Sequence, residues 1–181
     1  MVLPIRRVVT GQTPEGKSVF THVEDVAPIE MGAGMSWYGV WGWDEQPTLP
    51  FFKDTPYVPR SVFPAAGGLR VNTVVFPPGY GVGPADGEKK ARPAAPEEYR
   101  QLAAAQPHGG THDLETGMHF TNSIDFGFIS SGEISLELDD GAEVTLRTGD
   151  VYIQNGAVHA WRNRGTEPCA LTFVILGSER V

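Results

Sequence analysis

The sequence lacks features that several classes of protein require. Its 181 residues include one cysteine, Cys169, so no disulfide can form within the chain. Because the opening residues also lack the apolar core of a secretory signal, we expect a reducing compartment, the cytoplasm. No run of about 18 apolar residues occurs, which predicts that no segment spans a membrane.

Positive charge is also in short supply. Lys and Arg number 14 against 22 Asp and Glu, which gives a net charge of −8. Nucleic acid binding needs a basic face, so we exclude it and expect a small-molecule partner. The chain has no dinucleotide-binding glycine fingerprint, Walker loop, Gly-x-Ser-x-Gly elbow or Cys-x-x-Cys pair. Its length and its 40% hydrophobic content fit one globular domain.

Proline is scarce in the second part of the chain. Fourteen of the 15 prolines lie at or before Pro107, and Pro168 alone follows. Because proline interrupts sheet hydrogen bonding, the first part is predicted to be mostly loops, edge strands and turns, with one helix beginning at Pro96. From Gly117 onward the chain is predicted to be nearly continuous sheet. The strands expected in the first part are 6–10, 18–23 and 69–76.

Alternation of apolar and polar residues marks the strands after Gly117. Ile134, Leu136 and Leu138 alternate with polar residues, which predicts a strand with one face in water. Turn sequences rich in glycine separate further short strands. This spacing indicates an all-β fold, an antiparallel sandwich or barrel.

Two segments, 117–132 and 149–163, carry the residues best suited to chemistry. His119 and Asp125 come from the first segment, and His159 comes from the second. A sheet closed on itself can aim all three side chains at one interior point. Two imidazoles and one carboxylate suit a metal ion with open positions, whereas a structural site usually has four protein ligands. The three residues are therefore candidate metal ligands and catalytic residues.

The coupled spacings in these segments resemble the two motifs of the cupin superfamily. Thr121 replaces the second histidine of the family, Asp125 replaces its glutamate, and Gln154 replaces its proline. The resemblance covers about residues 69–176. The matching positions are His119, Asp125, Gly132, Gly149, Gly156, His159 and Asn163.

The resemblance implies a single-domain cupin, a jelly-roll β-barrel. On this interpretation the whole chain, 1–181, is one domain. An irregular N-terminal arm occupies 1–68 and the barrel core occupies about 69–176. The core contains an insert at 79–117, which we expect to form a lid over the barrel mouth.

The resemblance also implies a divalent metal held by His119, Asp125 and His159. Fe(II) is the first preference, and Zn, Mn or Ni are alternatives. Because Thr121 leaves one family ligand missing, His112 in the insert is a candidate fourth ligand. The substrate pocket is expected to include Thr121, Trp161 and Asn163, although Thr121 and Trp161 also suit plain packing and Asn163 suits fixing a turn.

Four functions remain open at this point. The leading hypothesis is a non-haem Fe(II) oxygenase that acts on a small keto, enol or phenolic substrate. The second is a lyase, dehydratase or isomerase in which the metal is a Lewis acid. The third is metal-free proton transfer by His119 or His159, oriented by Asp125. The fourth is a non-catalytic small-molecule binding module.

Two further expectations concern how copies of the chain assemble and where the remaining aromatic residues pack. The resemblance implies a homodimer whose N-terminal arm crosses to a neighbouring copy, which would cover exposed strand edges. Phe126 and Phe128 are expected to pack a sheet. The tryptophans at 37, 41 and 43 are expected to pack an irregular segment.

Overall fold

The computed structural model describes residues 4–50, 57–83, 95–105 and 116–181. Within these ranges the chain forms eleven strands, one α-helix and one short 3-10 helix. The strands are β1 (Ile5–Gln12), β2 (Ser18–Val26), β3 (Ile29–Gly32), β4 (Met35–Trp43), β5 (Leu69–Phe76), β6 (Ser123–Ser131), β7 (Glu133–Glu137), β8 (Glu143–Arg147), β9 (Val151–Asn155), β10 (Ala160–Arg162) and β11 (Cys169–Gly177). The helices are α1 (Glu97–Ala104) and the 3-10 helix Asp139–Gly141.

Antiparallel pairing joins the strands into two sheets and one separate hairpin. The large sheet has six strands in the order β3-β4-β5-β11-β6-β9, and the small sheet has the order β10-β7-β8. Strands β1 and β2 form the hairpin. The prediction of an all-β fold is confirmed by these eleven strands. Strands β6 and β9 show the expected alternation of buried and exposed residues.

The core lies on one face of the large sheet. Register across four neighbouring strands places Trp37, Val74, Leu171 and Ile129 in one row. None of these four residues is more than 4% exposed. Burying an aliphatic side chain of this size contributes roughly 1.5–3 kcal/mol, so this row is a main source of stability.

The predicted boundary between arm and barrel is wrong. Strands β3 and β4 belong to the large sheet through the pairing of β4 with β5, so the barrel begins at Ile29. The segment around Trp37 is a strand, and it was predicted to be irregular. Gly39 interrupts the apolar alternation there. The position has no room for a side chain, because a Cβ would lie 2.5 Å from Cγ of Pro59.

The second part of the chain follows the prediction closely. Strand β5 has the expected bounds, and the strands after Gly117 form the small sheet and three of the six strands of the large sheet. Helix α1 confirms the helix predicted in the insert, with Pro96 as its N-cap. Residues 84–94 and 106–115, including the candidate ligand His112, lie outside the described residues. The lid therefore stays a prediction. None of the described helices has the length and apolar character needed to cross a bilayer.

The packing expected for Phe126 and Phe128 is wrong. Each is 45% exposed, and the neighbouring strand β9 exposes Val151 and Ile153 on the same face. Register pairs Phe126 with Ile153 and Phe128 with Val151. These strands therefore carry apolar side chains on the face that points away from the core.

Candidate active site

The two predicted histidines meet across a single antiparallel bridge. The amide nitrogen of His119 lies 2.9 Å from the carbonyl oxygen of His159, and the reciprocal bond is 2.8 Å. Residues that exchange both hydrogen bonds present their side chains on the same face of a sheet. The centroids of the two imidazole rings are accordingly 4.4 Å apart.

A backbone carbonyl fixes the ring of His119. Its Nδ1 lies 2.9 Å from the carbonyl oxygen of Gly117. Because a carbonyl oxygen can only accept, Nδ1 carries the proton of the neutral ring. Nε2 then keeps its lone pair, which makes it the nitrogen that can accept a proton.

The side chain of Gln154 meets the other imidazole. Its Nε2 lies 2.9 Å from the carbonyl oxygen of Ala157 and 2.9 Å from Nδ1 of His159. An amide nitrogen can only donate, so when Gln154 donates to Nδ1 the neutral ring carries its proton on Nε2. In the other neutral tautomer, and in the charged ring, Nδ1 donates instead to Ala157, whose oxygen is also 2.9 Å away. Burial lowers the pKa of His159, which favours the neutral ring.

A buried chain of hydroxyl groups leads to Asp125. Oγ1 of Thr121 lies 2.7 Å from Oγ of Ser123, which donates to Oδ1 of Asp125 at 2.7 Å. Burial raises the pKa of Asp125 to about 6, and the bond from Ser123 offsets part of that rise. Burial also raises the pKa of the nearby Tyr152, and the charge of Asp125 adds to this rise.

The described residues do not assemble the predicted metal ligands. In the four described ranges, no group of three or more His, Cys, Asp or Glu side chains could hold a metal ion. The structure brings His119 and His159 together, whereas Asp125 lies opposite Gln154 in the sheet and accepts from Ser123. Two imidazoles alone fall short of the three or four protein ligands of a zinc site, so the described residues by themselves do not complete a metal site.

The three predicted pocket residues have different surroundings. Thr121 is buried and bonded to Ser123. The ring of Trp161 is half-buried, with its centroid 5.9 Å from that of His159. Asn163 is fully buried and fixes a turn, because its Nδ2 donates to the carbonyl oxygens of Phe76 and Glu167 and its Oδ1 accepts from Gly165.

The sequence alone did not identify three residues of the site. Ser123 shares the strand parity of Thr121 and Asp125, so alternation could have identified it. Gln154 and Tyr152 face the interior from β9, opposite Asp125 and Gly127. Their roles depend on pairing register, which a single sequence does not reveal.

A cavity of about 490 Å³ lies away from the imidazoles. Its walls include Met118, Glu137, Arg162 and Arg164, and they do not include either histidine. Nε of Arg162 donates to the carboxylate of Glu137 at 2.5 Å. Because Met118 and Arg162 alternate with His119 and Trp161, this cavity opens on the opposite face of the strands.

Comparison with known proteins shows a similarity to cupins in the second part of the chain. The model of the Cupin_2 family, the cupin domain, matches residues 106–175. Phomopsin biosynthesis cluster protein C' of Diaporthe leptostromiformis is 52% identical over 68 residues, which are 37% of this chain and 36% of that protein. Cupin-domain-containing oxidoreductase virC of Hypocrea virens is 39% identical over 62 residues, which are 33% of this chain and 32% of that protein. The matches thus span about a third of these curated relatives.

The comparison with solved structures found only distant similarity. The RmlC-like cupin from Shewanella frigidimarina is 11% identical, with a TM-score of 0.43 over 86% of each chain. The matched family model covers strands β6 to β10 and most of β11, and its range includes both histidines and Asp125. Residues 106–175 therefore match the cupin domain.

Proposed function

We propose that this cupin is an enzyme that transfers a proton at a carbon next to a carbonyl group. Its substrate class is a small enolisable ketone. The observation that supports this proposal is the pairing of His119 and His159, whose rings lie 4.4 Å apart with their Nδ1 atoms held by different partners.

The two imidazoles have complementary roles in this proposal. His119 is the general base, because its Nε2 is the unprotonated nitrogen of the neutral ring when Nδ1 donates to Gly117. His159 is the electrophile, because its Nε2 donates to the substrate oxygen when Gln154 donates to Nδ1. The base removes the proton from carbon, the electron pair moves onto oxygen as an enolate, and the base returns the proton. The step is balanced and needs no oxidant.

Asp125 is the proton-holding group in the interior. A carboxyl group with a pKa of about 6 exists in both protonation states near neutral pH. Ser123 and Thr121 extend this group into a line of three hydrogen-bonding side chains. We propose that these three side chains carry protons between the interior of the barrel and the substrate.

A metal-dependent oxidoreductase is the second candidate. Four of the curated relatives are named cupin-domain-containing oxidoreductases, which favours redox chemistry. In this case His119 and His159 would be two ligands of Fe(II), or of Zn, Mn or Ni. Elemental analysis of protein purified without added metal separates the two candidates.

Deuterium exchange tests the proton-transfer function. The protein is incubated in D₂O with a panel of 1,3-diketones and hydroxyketones in the presence of a chelator, and loss of the α-proton is followed by NMR. We expect His119→Ala and His159→Ala each to slow the exchange by about 10²–10⁴-fold. The control is Val144→Ala, at an exposed position on β8. Exchange that disappears with the chelator in the wild type would favour the metal-dependent candidate.

A further inference from the structure

Two short segments, 119–122 and 156–159, hold the two histidines of the candidate site, and the chain after β11 runs beside the first of them. The amide nitrogen of Ser178 donates to the carbonyl oxygen of Asn122 at 2.9 Å, where β11 ends and β6 begins. This bond holds the chain after β11 at the end of the large sheet. It thereby brings Arg180 to the place where the two segments approach each other.

The guanidinium group of Arg180 contacts both segments at once. Its Nη2 donates to the carbonyl oxygen of Gly156 at 2.6 Å, and its Nε donates to Oδ1 of Asn122 at 3.2 Å. The guanidinium carbon lies 4.2 Å from the ring centroid of Phe120. Hydrogen bonds from a charged donor are stronger than neutral ones, and a cation over an aromatic face adds to them. One planar group therefore joins the two segments.

The turn before His159 is packed against Arg180. Gly156 has a φ of +62°, and a Cβ at this position would lie 3.2 Å from Nη2 of Arg180 and 3.3 Å from the carbonyl oxygen of Thr121. Glycine suits both the left-handed conformation and the close approach. The next carbonyl, that of Ala157, lies 2.9 Å from Nδ1 of His159. Through Gly156, Arg180 therefore fixes the backbone that meets the ring of His159.

The first segment is held through the residue next to His119. Phe120 follows His119 directly, and neighbouring residues of an extended chain point in opposite directions. The ring of Phe120 thus meets Arg180, while the imidazole of His119 meets that of His159. The bridge between the two histidines lies outside the named strands and consists of two backbone hydrogen bonds. Because each such bond contributes little net free energy, contacts at the ends of the segments help to fix the pair.

We propose that Arg180 is a positioning residue, which holds segments 119–122 and 156–159 together and thereby sets the distance between the two imidazoles. The inference rests on the proposed proton transfer, since that reaction needs the two rings in one fixed arrangement. Arg180 acts through the backbone and the ring of Phe120, and it does not act on the substrate.

Deuterium exchange tests the effect on the reaction. In Arg180→Ala we expect loss of the α-proton to slow by about 10–100-fold, because a small misplacement of reacting groups has an effect of that size. Arg180→Lys keeps the positive charge without the planar fork, so its rate should lie between those of the wild type and Arg180→Ala. The control is Arg147→Ala, which removes an exposed arginine paired with Glu133 on the small sheet and should keep the wild-type rate.

NMR of the imidazole rings tests the position of the histidines without any substrate. The wild type should show a nuclear Overhauser effect between the ring protons of His119 and His159, whose centroids are 4.4 Å apart. This effect should be lost in Arg180→Ala and kept in Arg147→Ala, at one fixed pH and with a chelator present. Circular dichroism shows that each variant is folded. A role of Arg180 in stability alone would lower the thermal midpoint and leave the ring contact unchanged.

Each outcome counts for or against the proposal. Loss of the ring contact together with slower exchange in Arg180→Ala supports it. A folded Arg180→Ala variant that keeps the ring contact overturns it, as does one that keeps the wild-type exchange rate, or a wild type without the ring contact. If the wild type exchanges no proton, the proposed function fails, and the ring contact alone then decides whether Arg180 holds the two imidazoles together.

Discussion

The two faces of strands β6 and β9 have reversed polarity. On the inner face Asp125 and Gln154 lie directly opposite each other and are 7% and 4% exposed. On the outer face the neighbouring Phe126 and Ile153 are about half exposed. In most soluble proteins carboxylates are exposed and large apolar side chains are buried.

This reversal indicates two sites of interaction on one pair of strands. A buried polar group destabilises the fold unless it is hydrogen-bonded, and Ser123 and the Ala157 carbonyl supply those bonds to Asp125 and Gln154. Polar groups held in this way suit chemistry on a small molecule. Exposed apolar side chains in one row suit contact with another protein.

The largest effect is expected from Asp125→Asn on the inner face. The pKa of Asp125 is about 6 in the folded protein and 3.8 as the ordinary value, so the folded state binds the proton more tightly. The free energy of unfolding should therefore decrease as pH rises from about 4 to about 6, by about 3 kcal/mol, and stay constant above that. Asn keeps the acceptor for Ser123 without a charge, so the variant should be more stable above about pH 7.

Urea unfolding across this pH range measures that difference. The variant should lose the pH dependence between about 4 and 6, and it should also exchange deuterium more slowly than the wild type. Asp25→Asn, at an exposed position on β2, is the matched control. A variant with the same pH profile as the wild type would show that Asp125 is not the group that titrates on folding.

An intermediate effect is expected from Gly127→Ala, also on the inner face. A Cβ at this position would lie 2.3 Å from the ring of Tyr152 on β9. The added methyl group should lower the thermal midpoint, with a loss of about 1–3 kcal/mol in the free energy of unfolding. Gly83→Ala is the control, because a Cβ there meets no atom within 4 Å. Tyr152→Leu combined with Gly127→Ala should recover part of the loss; a fully additive pair would contradict the contact.

The smallest effect is expected from Phe128→Thr on the outer face. Phe128 is 45% exposed and contributes little to the core of one protomer. At concentrations low enough to give monomers, its free energy of unfolding should change by less than about 1 kcal/mol. Ile129→Thr, at the adjacent buried position, should cost about 2–4 kcal/mol in the same denaturant titration. Equal losses at the two positions would mean that the outer face is covered within a single chain.

Local alternation explains why the strands of the second part could be predicted. The strands containing Ile134, Val144 and Val151 follow from period-two patterns that need no knowledge of distant contacts. Strand β4 could not be predicted in the same way, because Gly39 and Gly42 interrupt its pattern. Its place in the sheet depends on Pro59 and on pairing with β5.

The site was predictable in part for a related reason. Spacing indicated that His119 and His159 converge, and the isolated bridge between them brings their rings together. Spacing did not reveal that Asp125 is engaged by Ser123, because strand parity gives the direction of a side chain and not its hydrogen-bond partners. The contact of Gln154 with His159 likewise depends on how the loop after β9 folds back.

Alternation along β6 and β9 has a consequence for how such proteins diverge. Positions 125, 127, 152 and 154 face the interior, and positions 126, 128, 151 and 153 face outward. A substitution at one set leaves the direction of the other set unchanged. Selection can therefore change the interior positions and the outward positions of these two strands separately.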